Sequence, residues 1–307
     1  MFLSRRLLLH ASRSAWLARQ LADRPFLRRA VRRFLPGEDL GAALGAASDL
    51  AALGIGSVLT QLGEQVRSRD EAAAVRDHYL QVLDEVRRRR LPAEVSVKLT
   101  HLGLDVDRAA CQEHLTALVT RASATGSTVW VDMEESRYVD VTLELFRRAR
   151  SVSPQVGVCL QAYLRRTPDD LEALLALSPA IRLVKGAYNE PASVAFPRKR
   201  DVDDAYARLA DRLLAQAAQG HARPVFGTHD LRQIAAIRSR AQRRGTPASG
   251  YEVHMLYGIA AAAQRTLVQE GARVRVLISY GTHWFPWYMR RLAERPANVW
   301  FVVKNLL

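Results

Sequence analysis

The sequence predicts a (β/α)8 barrel with an N-terminal helical arm. Two observations carry the barrel. Short β-rich runs alternate strictly with stretches of helical spacing, and eight such repeats argue for parallel strands that close rather than an open sheet. The runs also end one after another near a polar residue, as expected where strand ends converge on one mouth.

The elements follow in order. The first strand is expected over 55–59 and leads toward Glu64, and the second, over 94–99, carries Lys98 near its end. The third covers 128–133 and reaches Asp132, the fourth covers 156–161 and ends on Gln161, and the fifth covers 181–185 and ends on Lys185. The sixth, 224–228, runs into Thr228 and His229; the seventh, 251–256, contains His254; the eighth spans 273–278. Helices are expected over 64–90, 108–124, 141–150, 168–177, 203–218, 231–243 and 259–270, where apolar residues recur at helical spacing among Ala, Arg, Glu and Gln. A ninth β-like run, 299–303, leaves open, on counting alone, whether the first or the last run is the extra one.

With 307 residues, 49% of them hydrophobic, the chain supports a large core. Cys111 and Cys159 are its only cysteines, which excludes a disulfide framework and a thiolate metal site and points to a reducing compartment. No apolar run reaches the roughly 18–20 residues that span a bilayer. The net charge of +14 first suggests a nucleic acid or an anionic membrane, yet RNA-binding motifs are absent. Much of that charge sits in residues 1–35, where nine Arg face Asp23 alone. This amphipathic, basic segment reads as a helical arm packed on the main domain, with a membrane interface as a compatible extra role and an organellar presequence as the alternative. Residues 1–53 are therefore expected to form the arm and 54–307 the catalytic barrel.

Lysine usage singles out positions. Four of the 45 Lys and Arg residues are Lys, and Lys98 and Lys185 stand at strand ends while Lys199 follows the fifth strand. A compact ammonium is required where a guanidinium would not fit. Near the C-terminus, Tyr288-Met289-Arg290-Arg291-Leu292-Ala293-Glu294 places Tyr288, Arg291 and Glu294 at i, i+3 and i+6 of a helix, with Arg290 beside that line. An aromatic ring with two guanidinium forks suits a small carboxylate held against an apolar wall. His101, His283 and Trp284 lack a carboxylate partner at ligand spacing, and no metal site is expected.

Taken together, the motifs resemble the flavin-dependent proline dehydrogenases, monofunctional and of bacterial type. The resemblance runs from about Gly54 to Arg295 through Ser96-Val97-Lys98-Leu99-Thr100, Asp132-Met133-Glu134, Gln161-Ala162-Tyr163 and Arg182-Leu183-Val184-Lys185-Gly186-Ala187-Tyr188. It continues in Thr228-His229, Leu256-Tyr257-Gly258 and the Tyr288 to Glu294 segment. It implies a distorted barrel closed by its last helix, and oxidation of L-proline to Δ1-pyrroline-5-carboxylate with hydride passed to N5 of non-covalent FAD. A membrane quinone would reoxidise the flavin, and a separate pyrroline-5-carboxylate dehydrogenase would take the product on to glutamate. By the same resemblance, Arg290, Arg291 and Lys98 would hold the substrate carboxylate, Tyr288 would form a wall, and Asp132 would orient the cations near Lys98 and Arg291. Glu64 would pair with Arg290 as the lid closes, and Leu256 and Leu277 would line the pocket. Arg182 and Gln161 would lie near the flavin N5 edge, and Val184, Lys185, Gly186 and Tyr188 along the ring and ribityl chain. Lys199 would meet the phosphates, Thr228 and His229 the adenosine half, and Glu294 the ribose. The implied location is cytoplasmic, with peripheral contact at the inner face of the plasma membrane.

Two positions depart from the pattern. Leu277 stands where the family usually has Tyr, and His254 where a Gln bonding the flavin pyrimidine is usual. Leu277 keeps a hydroxyproline-preferring enzyme open as an alternative, though it supplies no partner for the added hydroxyl. A Schiff-base aldolase using Lys185 or Lys98 is the competing enzyme class, and a basic binding protein acting through residues 1–35 is the non-enzymatic one.

Overall fold

The computed structural model describes residues 31–285 and Tyr288. Eight parallel strands close into a barrel in sequence order. They are β1 (Gly56–Gln61), β2 (Ala93–Val97), β3 (Val129–Val131), β4 (Val156–Gln161), β5 (Ala180–Val184), β6 (Arg223–Gly227), β7 (Glu252–Leu256) and β8 (Val274–Tyr280). Helix α1 (Leu40–Ala52) precedes them. The ring continues with α2 (Arg69–Arg88), α3 (Arg108–Thr125), α4 (Val139–Val152), α5 (Thr167–Leu175), α6 (Lys199–Ala217), α7 (Leu231–Arg243) and α8 (Ala261–Gln269). All eight expected barrel strands are present, and the ninth β-like run, 299–303, lies outside the described residues. The eighth runs on to Tyr280, because β1 pairs with it as far as Gln61 opposite Tyr280.

Local chemistry sets the helix limits. The second helix starts at Arg69 rather than near 64, because Ser68 caps it: its hydroxyl accepts from the Glu71 N–H while Glu71 reaches back to the Arg67 N–H. Asp107 caps α3 by accepting from the Ala109 and Ala110 N–H groups, and Gly126 ends it in the left-handed region at φ 69°. Helix α1, part of the expected arm, packs on β1 and β8 and adds Ala43, Leu44 and Ala47 to the main core.

Strand alternation splits the interior in two. Val95, Val97, Val129, Val131, Ile181 and Leu183 face outward into the core shared with the helices. Their neighbours face inward, where Val58, Trp130, Ala180 and Val225 form a separate apolar layer with Leu277. Gly157 makes room for that layer, since a Cβ there would lie 2.5 Å from the Trp130 ring. Below it, near the strand starts, Glu94 and Glu252 are bridged by Arg223 at 2.6 and 2.8 Å, and Arg275 meets Glu252 at 2.7 Å. The barrel is thus plugged at its base by paired charges and sealed by an indole. Its polar groups remain accessible at the other end.

Candidate active site

Inward positions at the upper ends of β2, β3 and β5 bring three polar side chains together. Arg182, buried on β5, donates to Ser96 Oγ at 2.8 Å and to the Asp132 carboxylate. Its carbon lies 5.2 Å from the centre of the Trp130 ring, whose indole N–H donates to Glu94 at 2.6 Å. Burial works against the Arg182 charge, but Asp132 outweighs it and raises the guanidinium pKa. Sequence reasoning expected Asp132 beside Lys98 and Arg291; its partner in the structure is Arg182, on the strand two along the wall.

Lys98 follows β2 directly. Its ammonium lies 3.5 Å from Glu64, and both are mostly shielded. Glu64 was expected to pair with Arg290, which lies outside the described residues; among the described residues it faces Lys98. The Lys98 carbonyl accepts from the His101 and Leu102 N–H groups at 3.1 Å, which folds the chain into a tight turn. Glu134 grips that turn, accepting from the Thr100 N–H at 3.1 Å and from its hydroxyl at 2.6 Å. Burial pushes the Glu134 carboxyl up to about 7. The His101 ring fills the space over Gly63, and burial, aided by Lys98, holds it down to about 4.

Around the rest of the rim, Lys185 meets Asp203 at 2.6 Å and Asp230 at 3.7 Å. Lys199, largely exposed, pairs with Asp203 from the first turn of α6. Gly186 at φ 113° lies against Tyr163, whose ring a Cβ would meet at 2.1 Å, so the close approach requiring glycine comes from this ring. Tyr188 lies on the same loop, near Glu190, which clamps Ser136 through two bonds of 2.7 Å. Val184 packs against the main core and gives its carbonyl to the Ala162 N–H. Thr228 Oγ1 accepts from the Asp230 N–H, and His229 Nε2 accepts from the Leu256 N–H at 2.8 Å, which makes Nδ1 the protonated nitrogen of the neutral ring. Leu256 and Leu277 face each other in register across β7 and β8. Tyr288 is buried 6.2 Å from the Phe34 ring and 6.5 Å from Trp284. Arg290, Arg291 and Glu294 lie outside the described residues.

Two buried side chains bear on whether a flavin fits. Gln161 donates to the Met133 carbonyl at 3.3 Å while its Oε1 has no partner. His254, edge-on to Trp130 at 5.7 Å, has no hydrogen bond at either nitrogen, and its closest charged neighbour is Glu252 at 3.7 Å. Buried polar atoms without partners are costly, so polar atoms of a bound group are a natural complement. Lys185, Lys199 and the α7 N-terminus suit phosphates on the adjoining rim. The donor set fits a flavin nucleotide. Among the described residues no His, Cys, Asp and Glu cluster suits a metal.

Sequence reasoning missed Ser96, Glu134, Asp203 and Trp130. Ser96 and Trp130 were detectable as inward neighbours, two residues before Lys98 and Asp132. Glu134 and Asp203 depend on loop geometry that periodicity does not encode.

Fold and site together define the class: a (β/α)8-barrel enzyme with its chemistry at the C-terminal mouth. The chain belongs to the proline dehydrogenase family, whose model matches residues 43–304. It is 37% identical over 280 residues to proline dehydrogenase 1 of Bacillus subtilis (strain 168), covering 91% of each chain. It is 35% identical over 300 residues to proline dehydrogenase of Deinococcus radiodurans, covering 94% of this chain and 96% of that one. Among solved structures it is similar to proline utilization A (PutA) from Bdellovibrio bacteriovorus inactivated by N-propargylglycine, with a TM-score of 0.78 and 23% identity. That match covers 94% of this chain but 36% of the other, so the chain spans about a third of that protein's length and the likeness concerns the fold.

Proposed function

We propose that this proline dehydrogenase oxidises L-proline to Δ1-pyrroline-5-carboxylate with non-covalent FAD. The observation that carries the reading is the meeting of Arg182, Asp132 and Ser96 beside the Lys98–Glu64 pair at one mouth. FAD, when bound, supplies the two-electron acceptor. The chain's own residues do the rest. Lys98 exchanges Glu64 for the substrate carboxylate, and Arg290 and Arg291 complete the grip, fixing the ring's orientation. Leu256, Leu277 and Tyr288 present apolar surface that excludes water from the ring. Asp132 and Ser96 keep Arg182 directed toward the mouth. Gln161, Arg182, Val184, Lys185, Gly186, Tyr188 and His254 line the isoalloxazine side, while Lys199, Thr228, His229 and Glu294 serve the phosphates and adenosine.

No general base is assigned, because a secondary amine that binds deprotonated needs none. The rate should then rise with pH through a single ionisation. Both lysines considered for Schiff-base chemistry are held against carboxylates rather than set in an apolar pocket, which does not favour that reading. Electrons pass to a membrane quinone through peripheral contact at the inner face of the membrane, and a separate dehydrogenase consumes the product. No helix among the described residues is long and apolar enough to cross a membrane.

An absorption spectrum of the FAD-supplemented protein, taken anaerobically before and after L-proline, tests the reading. Bleaching of the flavin bands is expected. Flavin that binds but stays oxidised with proline and bleaches with hydroxyproline would transfer the assignment to that substrate. Protein that binds no flavin would defeat the proposal.

A further inference from the structure

The segment that leads into α1 meets the barrel at its mouth. In residues 31–35 the Phe34 and Leu35 N–H groups donate to the Val31 carbonyl at 2.8 and 2.9 Å, and Val31 and Leu35 are buried. The backbone here passes so close to the loop after β7 that a Cβ on Gly258, at φ 72°, would overlap the Arg33 carbonyl. Only glycine tolerates both that approach and that conformation. The same loop follows Leu256, which the proposed function places in the substrate pocket.

Two side chains of this segment reach a second wall. The Phe34 ring lies 6.2 Å from the Tyr288 ring, tilted by 45°. Glu38, next to the Asp39 that caps α1, accepts from the Trp284 indole N–H at 3.0 Å. Trp284 is buried and stands edge-on to Tyr288, 6.5 Å away. Tyr288 therefore has against it one ring from the arm and one indole tied to the arm. Aromatic pairs of this kind fix ring orientation as well as bury area. The anchor is firm, because α1 packs on β1 and β8.

We infer that Phe34 and Glu38 are positioning residues for the substrate: from the arm they set the Tyr288 wall, Phe34 by direct ring contact and Glu38 through Trp284. The inference rests on Tyr288 as a wall of the proline pocket. A wall that meets the substrate ring equally in the ground and transition states supplies uniform binding, so its displacement raises KM and spares kcat. A purely structural role would instead lower the fraction of active enzyme, which reduces kcat and leaves KM where it is.

The test is steady-state oxidation of L-proline by the full-length, FAD-saturated enzyme with a soluble dye as electron acceptor. Glu38→Leu and Trp284→Phe each remove one end of the hydrogen bond and should raise KM about 3- to 10-fold with kcat largely kept. The double substitution should cost no more than Glu38→Leu alone, because both act through one bond. Glu38→Gln should restore KM, since its side-chain carbonyl accepts the same N–H. Phe34→Leu keeps apolar bulk but loses the ring and should raise KM about 2- to 10-fold. A lowered kcat at unchanged KM in these variants, or additive effects of Glu38→Leu and Trp284→Phe, would overturn the positioning role. Tyr288→Ala separates the two levels of the argument. A raised KM there with unmoved KM in the arm variants would overturn the inference alone. An unmoved KM in Tyr288→Ala would overturn Tyr288 as a wall, and the inference with it.

Discussion

Arg182 and Asp132 are joined across the inner wall of the barrel, two strands apart, and the same guanidinium reaches back to Ser96 on β2. One buried cation therefore ties β2, β3 and β5 together at the level where the strands open into the mouth. Asp132 balances a charge that burial alone would expel.

Asp132→Asn should consequently damage stability and function together. The amide keeps the shape and one acceptor but removes the countercharge, at a cost of about 3 kcal/mol in urea unfolding. Loss of proline turnover should exceed the loss in Ser96→Ala, which removes only a neutral acceptor. Equal effects of the two substitutions would mean that the charge at Asp132 is unimportant.

Lys98 tests the carboxylate grip. Lys98→Met keeps length and removes charge, and losing a charge-assisted bond costs about 1.5–3 kcal/mol. The KM for proline should rise about 10- to 100-fold, with a smaller change in kcat. Lys98→Arg should not restore it, because this position keeps Lys in a chain whose cations are nearly all Arg, and a fork is not interchangeable with a compact ammonium. Full rescue by Arg would undermine the reading of lysine usage.

Much of this arrangement was legible before any coordinates. Strict alternation gave eight strands, and the strand-end rule pointed to Lys98, Asp132, Gln161 and Lys185. The pairings were less accessible. Asp132 was placed near Lys98 and Arg291 by resemblance alone, and its ion pair with Arg182 was not foreseen, since side-chain reach across a closed barrel is decided by register. The base was missed for a different reason. Glu94, Arg223, Glu252 and Arg275 look like exposed strand starts in a sequence, and only closure turns them into one enclosed ion network. Gly186 was expected along the flavin path, and the structure adds a local need for glycine there, since a Cβ would meet the Tyr163 ring.

That ion network should govern acid stability. Burial raises the Glu252 pKa, but His254, Arg223 and Arg275 more than offset it, and the carboxyl is held well below its ordinary value. Its contribution is therefore present above the ordinary carboxylate pKa and is lost as pH falls toward the folded-state value. Glu252→Gln should lose about 3 kcal/mol at pH 7, with the gap to the parent narrowing in strong acid. A gap that is constant from pH 7 to pH 3 would show that packing, not charge, holds the base.

Glu134 carries the opposite sign. Its folded value of about 7 lies above the ordinary carboxylate value of 4.5. Stability from the neutral form is complete below that ordinary value and is lost as pH rises through 7. Relative to the parent, Glu134→Gln should gain about 3 kcal/mol between pH 4.5 and pH 8. Urea unfolding at the two pH values measures this, and a relative stability that does not change with pH would place Glu134 among ordinary solvated acids.

Leu277 is expected to weigh on substrate choice. Its side chain packs on the layer formed by Val58, Trp130, Ala180 and Val225, and it faces Leu256 in register. As a wall of the proposed pocket it would offer no hydrogen-bonding group of its own. A hydroxyl on the substrate ring would be buried against it unpaired, at about 1–3 kcal/mol. The kcat/KM for proline should thus exceed that for hydroxyproline by about 10- to 100-fold. Leu277→Ser supplies a donor and acceptor and frees space, so the ratio should fall about tenfold even if both rates decline through lost packing. The ratio is the quantity to measure, because damage to the fold or to cofactor binding affects both substrates alike. A wild-type enzyme that prefers hydroxyproline would require a polar partner for that hydroxyl elsewhere in the pocket, and the argument from Leu277 would fail.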